Sequence, residues 1–155
     1  TNGRSFLQGN NLTSAPLWNL SSMTNGRGFL QDNNLTSAPL WDLSSMTSGR
    51  GFLQDNNLTS APLWNLSSMT DGSEFLRSNS IARLKILNIN ASINVSSGFG
   101  FIRLSRPALV EIFNSLTDRS ATTSLNINIT GTNGASSLSA AERQIATDKN
   151  WTITG

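Results

Sequence analysis

The sequence predicts an α/β protein: a solenoid of strand-rich 23-residue repeats, closed at its C-terminal end by a β-α-β-α-β cap. Three observations carry this expectation. Phe6, Phe29, Phe52 and Phe75 recur at a constant spacing of 23. Between them, the run Phe-Leu-Gln-(Gly/Asp)-Asn-Asn-Leu-Thr-Ser-Ala-Pro-Leu-Trp-(Asn/Asp)-Leu-Ser-Ser-Met-Thr returns nearly unchanged. Beyond Phe75 the repetition decays into alternating and helical patterns. A fixed period of this length means units that cannot bury their apolar face alone and must stack to make one core.

The repeat array covers 1–81, with units opening at Phe6, Phe29 and Phe52 and a degenerate one at Phe75. Terminal repeats and an α/β cap occupy 82–155. Thr1-Asn2-Gly3-Arg4 matches Thr24-Asn25-Gly26-Arg27, the tail of a unit, so the expectation is an array whose first unit is cut. Each unit holds Phe, Leu, Trp and Met among polar residues with no helical period. Gly-Arg-Gly, Ala-Pro and Ser-Ser punctuate it as turns. One or two short strands per unit are expected, about 4.8 Å from their copies in the next.

Leu7-Gln8-Gly9-Asn10-Asn11-Leu12 has the form L-x-x-N-x-L, as do Leu30…Asn33…Leu35 and Leu53…Asn56…Leu58, with Leu76…Asn79…Ile81 degenerate. This is the signature of leucine-rich repeats. An inward Asn at a tight turn can bond backbone groups that stacking would otherwise bury unpaired. The fourth unit keeps Asn79 but has Ser80 in place of a second Asn. The ladder is therefore expected at Asn10, Asn33, Asn56 and Asn79. Trp41-Asp42-Leu43-Ser44-Ser45-Met46-Thr47, followed by Gly51-Phe52, resembles the W-(N/D)-x-S-x-V-T…M-F pattern of BspA-like leucine-rich repeats. That resemblance spans 1–81 and implies a bacterial surface or phage tail or fibre protein.

In the cap, Leu84, Ile86, Ile89, Ile93, Val95, Phe99 and Phe101 read as strands broken by Ser/Gly turns. Ser105-Arg106-Pro107 opens a helix with Leu109, Ile112, Phe113 and Leu116 on one face. Leu125, Ile127 and Ile129 alternate with asparagines as a half-buried strand. Ser139-Ala140-Ala141-Glu142 is a capping box opening a second helix to about Lys149. Trp151-Thr152-Ile153-Thr154 is a last strand. This order implies parallel strands with crossover helices, and its last segments resemble the ends of leucine-rich surface and phage proteins.

Charged residues are only 13% of the chain, against roughly 25% in ordinary globular proteins. The net charge of +2 implies no nucleic-acid partner, because no contiguous basic stripe accompanies it. There is no Cys and no His. Thiolate chemistry, the usual general base and the commonest transition-metal ligand are therefore missing. No apolar run is long enough to span a bilayer, so no membrane insertion is expected. No enzyme activity, cofactor, metal or catalytic residue is expected.

Three further rows follow from the period. Asp32 and Asp55 share a repeat position, but Gly9 and Ser78 flank them there, which suits a solvated turn better than a paired-acid site. Arg4, Arg27 and Arg50 stack as like charges, relieved either by Asp32 and Asp55 five residues on or by a bound anionic glycan. Trp18, Trp41 and Trp64 form either a buried ladder or an exposed stripe for sugar rings. Leu17 and Trp18 point to opposite faces if that segment is extended, whereas a turn at Pro16 could fold both inward. Asn11, Asn19, Asn34, Asn57, Asn65, Asn90, Asn94, Asn128 and Asn150 stand in N-x-(S/T) sequons, either by composition or as glycosylation acceptors.

Near-identical units favour extension and multivalent display over a single catalytic pocket. The sequence therefore points to an extracellular, cell-surface or virion-surface module that extends and displays a surface. Its partners would be a host receptor, a glycan or another surface protein. The alternative is a structural fibre, filament or decoration subunit that self-associates.

Overall fold

A computed structural model describes residues 1–84 and 104–155 and, between them, the backbone of β1 (Ile93–Asn94). Most of the strands expected over 84–104 lie outside the described residues. The C-terminal part follows the order β1, α1 (Arg106–Ser115), β2 (Leu125–Asn128), α2 (Ala140–Thr147) and β3 (Trp151–Thr154). The three strands form one open parallel sheet in the order β1-β2-β3.

The strand-rich, leucine-rich-repeat-like solenoid expected from the period is not what forms. In the repeat region, consecutive units touch as strands only at isolated parallel bridges, Asn2 to Asn25, Asn25 to Ser48 and Ser48 to Asp71. The units are coils of turns, and the reason lies in backbone sign. Along Gly51, Leu53 and Asp55, φ is +65°, +56° and +53°, and Gly28, Leu30 and Asp32 repeat the pattern at +64°, +54° and +56°. Every second residue is thus left-handed, a geometry no extended strand can adopt.

These turns still stack in register. Gly26, Gly28 and Asp32 donate their N–H groups to the carbonyls of Ser48, Arg50 and Gln54 in the next coil. Thr47, Leu53 and Asn57 donate back to Thr24, Phe29 and Leu35. Backbone pairing is therefore satisfied between coils without a ladder of strands.

A bulky residue in the left-handed region costs on the order of 1–3 kcal/mol. Leu30, Leu53 and Leu76 accept it because each side chain is wholly buried in the common core, and burying a leucine returns roughly 1.5–3 kcal/mol. Ser78, at φ +58°, is exposed and has no such return. Its repeat equivalent is Gly9, at +70°. Ser78→Gly is therefore expected to stabilise the protein by about 0.5 kcal/mol in urea melts. Gly51→Ala should do the opposite, since a Cβ there would stand 3.0 Å from Gln54 Oε1 at φ +65°.

The core runs unbroken from the coils into the cap. Phe29, Phe52 and Phe75 stack at ring spacings of 5.3 and 5.1 Å. Below them Leu84, Leu104, Leu109, Ile112, Phe113, Ile127 and Trp151 complete one buried cluster. On α1 the face Ala108, Leu109, Ile112 and Phe113 is buried. Lys149 Nζ donates to the carbonyls of Phe113, Asn114 and Leu116, a cation placed on the negative end of that helix. Gly134 admits no side chain, because a Cβ would fall 2.2 Å from the Arg106 backbone nitrogen.

Helix α2 begins with a complete capping box: Glu142 N–H donates to Ser139 Oγ and Ser139 N–H to Glu142 Oε2. Arg106 also donates to Glu142, tying the starts of the two helices. The Arg106 guanidinium first, then the Ser139 N–H, hold the Glu142 carboxyl down at about 2. A depressed carboxyl stabilises the fold above its unfolded value near 4.5 and loses that contribution as pH falls through the folded one. Glu142→Gln is thus expected to flatten the acid limb of stability between those two values, read from urea midpoints across pH.

Candidate binding rows on the coil stack

Because units stack in register, every side chain of the repeat becomes one step of a row. The inner rows come first, since they fix what is left outside. Asn33, Asn56 and Asn79 form the asparagine ladder, each reaching back to the preceding coil. Asn33 Nδ2 donates to the carbonyls of Leu7 and Leu30, and its Oδ1 accepts from the N–H groups of Asn10 and Leu12. Asn10, in the first coil, is exposed and its Nδ2 meets only the Gln8 carbonyl.

The tryptophan row lies inside. Trp41 and Trp64 are 1% and 2% exposed, stacked 6.3 Å apart and edge-on to the phenylalanine row. Their Nε1 groups donate to the carbonyls of Pro16 and Pro39, each in the preceding coil. Trp18 is half-buried, stacked 6.0 Å from Trp41. The indoles of Trp41 and Trp64 present no face to a ligand.

Their neighbours take the outside. Leu17, Leu40 and Leu63 are 72%, 64% and 42% exposed, an apolar row facing solvent. Sequence reasoning left this pair of rows undecided. The deciding signal is the indole N–H, which needs an acceptor when buried and finds it at the proline one coil back.

Arg4, Arg27 and Arg50 form an exposed row beside a groove. Asn2 and Asn25 side chains accept from the N–H groups of Arg4 and Arg27, fixing the turns that carry them. The acids expected to relieve this row do not do so. Asp32 accepts from Gln8 Nε2 at 3.2 Å and Asp55 from Gln54 Nε2 at 2.9 Å. The two carboxylates form no enclosed pair. Glu74 instead stands at the end of the row, 4.0 Å from Arg50 and 3.3 Å from Arg77. Gln31 and Gln54 also line the groove, residues that the sequence reading passed over although they repeat in register.

Among the sequons, Asn11, Asn19, Asn34 and Asn57 are exposed and Asn65 and Asn128 half-buried. Asn150 is committed, its Nδ2 donating to the carbonyls of Arg119 and Thr122. Asn90 lies outside the described residues, as does the side chain of Asn94. Among the described residues no group of three or more acidic or metal-binding side chains converges. Nor is any described helix long and apolar enough to cross a membrane.

Comparison of the chain with protein-family models, with characterised proteins and with solved structures finds no match.

Proposed function

We propose that this protein is a non-enzymatic repeat module that extends and displays a periodic surface for recognition, at a cell or virion surface. The observation that carries this reading is the repetition of exposed chemistry in register: leucines at 17, 40 and 63 and arginines at 4, 27 and 50, one per coil. Identical weak sites on a rigid stack add by avidity, which a linear or clustered partner exploits. The partner classes that fit are a receptor, a glycan or another surface protein.

A glycan and surface-protein array, probed with the whole chain and with Leu40→Ala and Arg27→Gln, tests this. Binding that one row variant abolishes supports display. A second reading, self-association into a fibre, is favoured by the exposed leucine row. Analytical ultracentrifugation showing polymers that Leu40→Asp dissolves, with no array ligand, would replace the first reading by the second.

A further inference from the structure

We infer that the groove along Arg4, Arg27 and Arg50 binds a linear anionic glycan, its sulfate or carboxylate groups seated on the guanidinium row. This deepens the display reading and rests on it. The spacing is set by the stack: rings of successive coils lie 5.4, 5.3 and 5.1 Å apart. Arginines carried one per coil are like charges on neighbouring coils, and they repel. Arg4 and Arg27 have no ion-pair partner among the described residues. The row is thus charged, exposed and uncompensated at its Arg4 end. A guanidinium fork matches a sulfate or carboxylate edge with two hydrogen bonds.

The groove floor adds a second chemistry. Gly28 and Gly51 are buried there without side chains. The space a Cβ would fill at Gly51 lies 3.0 Å from Gln54 Oε1 and 3.4 Å from Gln31 Oε1. Two amide oxygens therefore converge on the floor. Gln54 is held in that orientation because its Nε2 donates to Asp55. Amide oxygens accept hydrogen bonds, so the floor suits a ligand rich in hydroxyls, and the rim suits anions. A charged sugar polymer carries both. A single-stranded nucleic acid is bound on aromatic platforms, and here Trp41, Trp64, Phe29 and Phe52 are buried in the core.

Glu74 limits the site. It lines the same groove and competes for Arg50. Removing its charge should therefore tighten binding, a gain that loss of fold cannot produce.

The test is calorimetric titration of the whole chain with a heparin-derived octasaccharide, its desulfated counterpart and an oligothymidylate, at low and raised salt. The expected result is binding of the sulfated sugar that weakens with salt. Arg27→Gln should weaken it about tenfold, and Glu74→Gln should tighten it severalfold. The charge-matched controls Arg83→Gln and Asp118→Asn, outside the groove, should leave it unchanged. Equal effects of the matched controls would reduce the result to net charge and overturn the site. Equal or tighter binding of the oligothymidylate would overturn the glycan. A neutral array ligand that survives Arg27→Gln, with no binding of the octasaccharide, would overturn this inference while the display reading stands.

Discussion

Asn56→Ala is expected to lower stability by about 3 kcal/mol, while Asn10→Ala, the same substitution one end of the ladder away, should cost less than about 1 kcal/mol. Asn56 is 6% exposed. Its Nδ2 faces the carbonyls of Leu30, Leu53 and Gln54 at 2.9, 3.1 and 3.2 Å, and its Oδ1 accepts from Leu35 N–H at 3.0 Å. Truncation leaves the Leu35 N–H without its partner in a dry core, which costs on the order of 1–3 kcal/mol. The Leu30 and Leu53 carbonyls keep the amides of Asn33 and Asn79 but lose their second donor, which adds to the loss. Asn10 has only the Gln8 carbonyl to lose, and water replaces it. Urea unfolding followed by tryptophan fluorescence checks the difference. Asn56→Asp should not rescue, because it keeps the acceptor but turns its second oxygen toward three carbonyls. Equal small losses at both positions would mean that the coils stack without the ladder.

How much of this was legible in the sequence depends on which contacts cross from one coil to the next. The period was legible, because a spacing of 23 at Phe6, Phe29, Phe52 and Phe75 needs no knowledge of backbone. So was the choice of Asn over its neighbour, since Ser80 in the fourth unit marks the second position as dispensable. The cap helices were legible through local chemistry: Pro107 inside the first turn and the Ser139–Glu142 box. The absence of strands from the repeats was not, because the conformation that excludes them puts leucines at positive φ. A bulky residue there reads as improbable until its burial is known. The partners of Asp32 and Asp55 were misjudged for a related reason. Residues five apart look adjacent in an open turn, but alternate left-handed residues turn these acids onto Gln8 and Gln54. What decides Leu against Trp lies in the proline carbonyl of another unit, outside any single repeat.

That last pair gives the other large effect, and it separates folding from recognition. Trp41→Ala is expected to cost about 4 kcal/mol, within the range for emptying a large aromatic site in a packed core. The ring is stacked on Trp18 and Trp64 and edge-on to Phe29 and Phe52, so its loss opens contacts in three coils at once. It also strips the Pro16 carbonyl of its indole donor. Trp41→Phe should recover most of the packing and leave about 1–2 kcal/mol for the lost hydrogen bond. Leu40→Ala, one residue earlier and 64% exposed, should change stability in urea melts by no more than about 0.5 kcal/mol. The two neighbours thus divide cleanly. Any partner contact made by this edge of the coil must fall with Leu40→Ala at unchanged stability, whereas a partner lost with Trp41→Ala is lost because the stack has come apart. Near-equal destabilisation by the two substitutions would mean that Leu40 and Trp41 are both packed inward, and a larger loss at Leu40 that the segment has the opposite orientation.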